Sequence, residues 1–259
     1  MTDNNVFKSI EISKKELEPF LNNYIVKEFC KFHNIKEDNV FLNLKQENVA
    51  RSSLFLDVKK KYILNVVNAE GVPVDILDIK GMVSNRSDYP PYTKDKIKEL
   101  LILIISGDSI NPSAIKKFVE ETKKEIVKYL KAGDLRVGRP VYYSKKFEDY
   151  KKVPTHVLGM EFWNKYNYKI FEPGVKGYMF RLKSIDFTHP STPEALKKDE
   201  SKLKYEGFPN YICVPAEEEK CPEYYNLDIE ENLNFCWNER VTEIIKAIGS
   251  SILENKKTF

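Results

Sequence analysis

No apolar run in the 259 residues is longer than the six from Leu100 to Ile105, and a membrane-spanning helix needs about 20. A transmembrane segment is therefore not expected. The first residues, Met1-Thr2-Asp3-Asn4-Asn5, carry neither a basic leader nor an apolar core, so secretion is not indicated and a cytoplasmic location is expected. Cysteine is scarce: no two of Cys30, Cys213, Cys221 and Cys236 are separated by two residues, which removes the zinc-ribbon and thioredoxin patterns and leaves reduced thiols as the default. Cys213, Cys221, Cys236 and His189 could supply metal ligands, but at irregular spacing. The histidines, His33, His156 and His189, lie far apart with no acid or nucleophile patterned beside them, so no Ser-His or Cys-His catalytic set can be argued. There are ten glycines, no Gly-rich loop that could cradle phosphate, and no internal repeat. Net charge is also nearly absent at +3, so charge must be read segment by segment.

At roughly 150 residues per domain, the length suits one large domain or two modest ones. Hydrophobic residues at 42% and charged residues at 31% describe an ordered, soluble globular chain. Residues 1–115 hold 16 basic and 16 acidic side chains, residues 116–183 hold 17 and 8, and residues 184–259 hold 9 and 15. A basic middle segment is what a protein needs to neutralise phosphates and release their counterions. Exposed helical faces explain part of this excess, because Lys116 to Lys131 interleave with Glu120, Glu121 and Glu125 at helical spacing.

The apolar period predicts an amphipathic helix over residues 14–33, opened by Ser13 and packed through Leu17, Phe20, Leu21, Tyr24, Ile25, Phe29 and Phe32. Lys61 to Val67 reads as a strand, Ala69 to Pro73 as a turn and Val74 to Met82 as the returning strand. Thr93 and Asn111-Pro112 open two helices, the second ended by Gly133. Between Val137 and Lys152, Tyr142, Tyr143, Phe147 and Tyr150 alternate with Lys145, Lys146, Lys151 and Lys152. That interleaving suits nucleic-acid contact, and equally suits aromatics packed under lysine stems. A helix capped by Thr155, a second hairpin over Tyr168–Lys183 turned by Glu172-Pro173-Gly174, a loop from Asp186 to Glu223, and closing helices over Leu227–Trp237 and Glu239–Leu253 complete the reading.

Four elements occur in a recognisable order: Lys59-Lys60-Lys61-Tyr62; then Ile79-Lys80-Gly81-Met82; then Arg86-Ser87-Asp88 with Pro90 before a helix; then Val153-Pro154-Thr155-His156-Val157 followed by Glu172-Pro173-Gly174-Val175-Lys176. Together with Ile248-Gly249 they resemble the C-terminal palm and thumb of family B DNA polymerases, with Val83 and Asn85 departing from the pattern. The resemblance implies an α+β chain, with residues 1–88 as the C-terminal part of a palm carrying a short antiparallel hairpin or sheet remnant. Residues 89–259 would be a mostly helical thumb containing a small β-hairpin. It also implies that Lys59, Lys60, Lys61, Tyr62, Lys80 and Arg86 lie nearest the primer terminus, and that Gly174 and Lys176 lie on the thumb side of the duplex. If the motif is a strand throughout, Lys60 and Tyr62 share one face and Lys59 and Lys61 the other. A lysine reaching the minor groove meets acceptors common to all correctly paired bases, and an arginine fork suits phosphate.

Two-metal nucleotidyl transfer needs carboxylates fixed close together, and no such set is evident: there is no Asp-Thr-Asp, and Asp75 and Asp78 fall at odd spacing on one strand. The finger helix and the exonuclease Asp-x-Glu segment are also missing. The expectation is therefore one chain of a split polymerase rather than a free-standing enzyme, with the catalytic residues and metal ligands on another chain. That second polymerase chain would carry exonuclease, fingers and catalytic palm, primer-template DNA would be the common partner, and Mg2+ would be held in the assembly. The Met1 start and the C-terminus fit a natural split. Low Gly and high Lys, Ile, Asn and Tyr are compatible with an AT-rich genome, and the resemblance to a split family B enzyme implies a bacteriophage source, hence host cytoplasm. The alternatives are a non-catalytic DNA-binding or accessory protein derived from such a thumb, and a general RNA-binding protein.

Overall fold

The structure is a computed structural model that describes residues 3–36, 43–56, 59–82, 87–106, 110–168 and 170–249. It is α+β, as expected, and divides into two compact units, residues 1–81 with 101–110, and residues 82–100 with 111–259.

In the first unit a helical segment, α1 (residues 3–33), is α-helical over Asp3–Ile12, Glu18–Phe20 and Val26–His33, with π turns at Ser13–Leu17 and Leu21–Ile25. It starts well before Ser13 and ends where Asn34 takes the left-handed conformation, φ 53°. The expected packing is inverted. Phe20, Tyr24, Phe29 and Phe32 are exposed, Phe32 by 85%, whereas Val6 and Cys30 are buried. The π turns insert extra residues per turn, so the apolar positions drift off the inward stripe. Polar anchors occupy that stripe instead. Asn22 donates to the Leu44 carbonyl at 2.8 Å and accepts from the Leu44 N–H at 2.7 Å, and Glu18 accepts from the Gln46 N–H at 2.7 Å.

The same unit holds an antiparallel sheet of order β1-β2-β3, with β1 at Asn48–Phe55, β2 at Tyr62–Ala69 and β3 at Val72–Lys80. The β2–β3 hairpin predicted from the sequence is present. Glu70 and Gly71 both take positive φ, 49° and 90°, the two-residue turn whose twist matches the strands it joins. The buried Asn68 side chain accepts the Gly71 N–H at 3.0 Å and thereby holds the turn. Ile63 and Val66, three positions apart on β2, face opposite sides of the sheet and are both fully buried. Helix α2 (Pro91–Ile105) follows; its part from Leu101 groups with this unit, where the Ile105 carbonyl accepts from the Ser52 hydroxyl at 2.6 Å.

In the second unit α3 (Pro112–Lys131) is capped as expected by the Asn111 side chain, which accepts from the Ala114 N–H, with Pro112 in the first turn. Ile115, Val119, Thr122, Ile126 and Leu130 form its buried face. A second sheet has order β4-β5-β6, formed by β4 (Arg139–Tyr142), β5 (Lys176–Ile185) and β6 (Tyr211–Pro215), and β7 (Tyr225–Leu227) also pairs with β5. The expected hairpin over Tyr168–Lys183 is corrected here. The strand after Gly174 is present, but its neighbours come from residues 139–142, 211–215 and 225–227, because no strand among the described residues immediately precedes the turn. The expected loop from Asp186 to Glu223 contains α5 (Glu194–Lys198), α6 (Glu200–Glu206) and β6.

Helix α4 (Thr155–Tyr166) lies on β6, where Gly159 permits the approach: a Cβ there would sit 2.9 Å from the Tyr211 carbonyl oxygen. Thr155 is the first helical residue, and Pro154 rather than Thr155 occupies the cap position. Trp163, Phe180, Ile212 and Val214 fill the core around this contact. The chain closes through α7 (Ile229–Leu233), a π turn at Asn234–Asn238 and α8 (Glu239–Ala247), broadly the two closing helices expected; Leu253 lies outside the described residues.

Candidate nucleic-acid interface

Five of the residues expected at the interface gather at one end of the three-stranded sheet. Lys59 and Lys60 form the turn that joins β1 to β2, Lys61 precedes β2, Tyr62 opens it, and Lys80 ends β3. The expectation of a continuous strand is corrected for the first two. Lys60 has φ 63°, in the left-handed region, so strand alternation does not relate Lys60 to Tyr62. The reason is geometric, since the chain reverses between Leu56 and Lys61, where the Leu56 N–H donates to the Lys61 carbonyl at 3.0 Å. Gly81 completes the corner. Its φ is +66°, and a Cβ there would stand 2.3 Å from the Lys60 carbonyl oxygen.

Strand register places Phe55, Tyr62 and Lys80 in one row across all three strands, since Phe55 pairs with Tyr62 and Tyr62 with Lys80. The Phe55 and Tyr62 ring centroids are 5.8 Å apart, and the Lys80 ammonium lies 5.6 Å from the Tyr62 ring. Hydrogen bonding to Tyr62, then the charges of Tyr62 and Asp78, hold Lys80 above the ordinary lysine value. Lys80 is fully cationic at neutral pH. Phe55 is 63% exposed, and the exposed Lys59 and Lys60 have no carboxylate partner among the described residues. Lys80 also meets Asp78 at 3.9 Å. An aromatic row with one exposed and one half-buried ring, flanked by lysines, can stack on bases or sugars while the cations meet phosphates. Sequence reasoning does not single out Phe55; its only signal there is an aromatic at the end of a short β-like segment.

Gly174 and Lys176 belong to the second unit. Gly174 sits in a turn at φ +104° with open space around it, and Lys176 is exposed at the start of β5, opposite Tyr142. The Gly174 N–H donates to the Tyr143 carbonyl at 2.8 Å, which ties this turn to the basic-aromatic segment. That segment divides between its two readings. Tyr143 is buried with its hydroxyl on Glu161, and Lys145 covers the Tyr150 ring at 4.6 Å. Tyr142, Phe147, Lys146, Lys151 and Lys152 remain exposed. Arg86, Val83 and Asn85 lie outside the described residues.

Among the described residues, no group of three or more His, Cys, Asp or Glu side chains is arranged to hold a metal ion. The Cys213 thiol donates to the His156 carbonyl and the Cys236 thiol to the Leu233 carbonyl, while His189 lies 3.7 Å from Glu223. Burial raises the Cys213 thiol well above its ordinary value and pushes Cys221 and Cys236 up to about 12.

No protein-family model matches the sequence, and no curated protein matches it. Solved structures do match, among them the family B DNA polymerase from the hyperthermophilic archaeon Pyrobaculum calidifontis, at 17% identity and a TM-score of 0.44. The alignment covers 88% of this chain and 25% of that polymerase, so the chain spans about a quarter of its length. No helix among the described residues is long and apolar enough to cross a membrane.

Proposed function

We propose that this chain is the C-terminal palm and thumb subunit of a split family B DNA polymerase, and that it grips the primer-template duplex while a second chain carries exonuclease, fingers and the metal-binding aspartates. The observation that carries the reading is the row Phe55-Tyr62-Lys80, with Phe55 and Lys80 exposed and Tyr62 half-buried, beside Lys59 and Lys60, which have no carboxylate partner among the described residues, built from the two sequence elements whose order resembles that family. Cations gathered at one sheet end position a duplex without reading its sequence. Gly174 and Lys176 would contribute from the thumb, and Arg86 from the segment after β3.

In this reading the Mg2+ pair of nucleotidyl transfer is held by carboxylates of the second chain. The contribution of this chain is to hold the primer end in register.

The test has two stages. Fluorescence anisotropy should show salt-dependent binding to a primer-template duplex, stronger than to single-stranded RNA of equal length. Adding a candidate partner chain that carries the aspartates should then restore primer extension that neither chain performs alone. Binding without restored extension favours the accessory-protein reading. Preference for RNA sinks both.

A further inference from the structure

The second unit contains a cavity of about 400 Å³ bounded by one face of the second sheet and by the turn that leads into α8. Cross-strand pairing puts its sheet wall together: Arg139 pairs with Met179 and Arg181 with Tyr211, so all four share a face. The opposite wall includes Glu231, Asn234 and Phe235.

Two features separate this cavity from an ordinary surface cleft. The first is that Arg181 is held at both ends. Its N–H donates to the buried Asn232 Oδ1 at 2.8 Å, and its carbonyl accepts from Asn232 Nδ2 at 2.9 Å and from the Asp228 N–H at 3.0 Å. Its guanidinium lies over the Tyr211 ring at 4.9 Å. Even so, among the described residues no carboxylate lies within ion-pair distance of it, although Glu231 and Glu239 line the same cavity and Glu239 is taken up by Arg240. The second is a layered stack behind Arg139. Its guanidinium lies 5.0 Å from the Phe235 ring, Phe235 stacks on Tyr89 at 5.8 Å with an interplanar angle of 5°, and Arg240 lies 4.9 Å over the other partner of that stack, Tyr89. Asp88 meets one Arg139 nitrogen at 3.7 Å, a long contact for an ion pair. Guanidinium planes fixed against rings keep their remaining N–H edges for a further acceptor and lose little entropy on binding it.

We infer that this cavity binds a nucleoside monophosphate, with Arg181 and Arg139 holding the phosphate and the helix wall accepting from sugar or base donors. The volume is of the size that holds a small ligand of this class. The charge layout argues against a bare anion, because cations line the sheet side while the Glu231 carboxylate offers an acceptor opposite, next to Asn234, whose Oδ1 already accepts from Asn238 Nδ2 at 2.7 Å. A ligand with a phosphate at one end and hydrogen-bond donors at the other satisfies both walls. The inference stands apart from duplex binding, since it concerns a single nucleotide and is measured without primer-template DNA.

The experiment is calorimetric titration of the full chain with AMP, dAMP, adenosine and inorganic phosphate, repeated on Arg181→Gln and Arg181→Lys, with thermal melting to show that each variant is folded. Saturable AMP or dAMP binding is expected, with adenosine and phosphate each weaker by about tenfold or more, since each satisfies one wall alone. Arg181→Gln should weaken nucleotide binding by about tenfold, and Arg181→Lys should restore part of it, because a point charge replaces a fork. No saturable binding to the native chain, equal binding of phosphate and nucleotide, or unchanged binding in a folded Arg181→Gln would each overturn the inference.

Discussion

Tyr62 and Lys80 stand opposite each other on β2 and β3, and the lysine ammonium lies 5.6 Å from the tyrosine ring centroid. The pairing gives the sheet end an exposed cation beside a half-buried tyrosine ring. If this end meets DNA backbone, Lys80→Ala should weaken primer-template binding uniformly across sequences and reduce the slope of log affinity against log salt by about one. Anisotropy titrations at several salt concentrations measure both quantities. An unchanged slope would remove Lys80 from the interface.

Gly81 and Gly174 both take positive φ, but their surroundings differ. Gly81→Ala brings a methyl group against the Lys60 carbonyl, whereas Gly174→Ala meets open space. Gly174→Ala should cost about 1 kcal/mol from backbone conformation alone. Gly81→Ala should cost about 2–3 kcal/mol and disturb the lysine corner with it. Denaturant midpoints rank the two, and an equal cost would show that the Gly81 contact is absent in solution.

His156 lies beside Arg139, and burial first, then that arginine, lowers its pKa below the ordinary 6.5. The unfolded chain then binds the proton more readily than the folded one. Its contribution is complete above pH about 6.5 and is lost as the pH falls toward the lower folded value. Replacing it with His156→Gln should flatten the fall in stability between neutral and mildly acid pH, as urea midpoints at stepped pH would show. A steeper fall in the variant would contradict the sign.

All four cysteines are buried and free. With Cys221 and Cys236 pushed up to about 12 and Cys213 raised further by burial, those three thiols stay protonated and enclosed in the native state. A thiol reagent at mildly alkaline pH should label these three slowly, and rapidly once denaturant unfolds the chain. Rapid native labelling of Cys213 would mean that the contact between α4 and β6 opens.

The exposed aromatics of α1 supply a direct contrast with the core. Phe32→Ser should change stability by less than about 0.5 kcal/mol, whereas Leu101→Ala, at a fully buried position, should cost about 2–5 kcal/mol. Thermal or chemical unfolding of the two variants distinguishes them. A large cost for Phe32→Ser would mean that this ring is covered in solution.

Short-range structure is written into the amino-acid order itself. The β2–β3 hairpin follows from two β-branched runs around Glu70-Gly71, and α3 follows from Asn111-Pro112, its apolar period and Gly133, because each of these signals acts within a few residues of itself. The order of the lysine, tyrosine and glycine elements is likewise visible in one dimension.

What the tertiary structure decided was everything that depends on distant partners or on a change of helical period. The left-handed Lys60 belongs to a corner closed by Gly81, twenty-one positions away in sequence, and the outward face of α1 depends on π turns and on Asn22 reaching Leu44. Arg139, Arg181 and Tyr211 share a wall only because strands 30 to 40 residues apart pair in register. Sequence periodicity reports which side of an element is apolar. Which element comes to lie against it is set by hydrogen-bond pairing and close packing between segments, and no window along the chain contains that information.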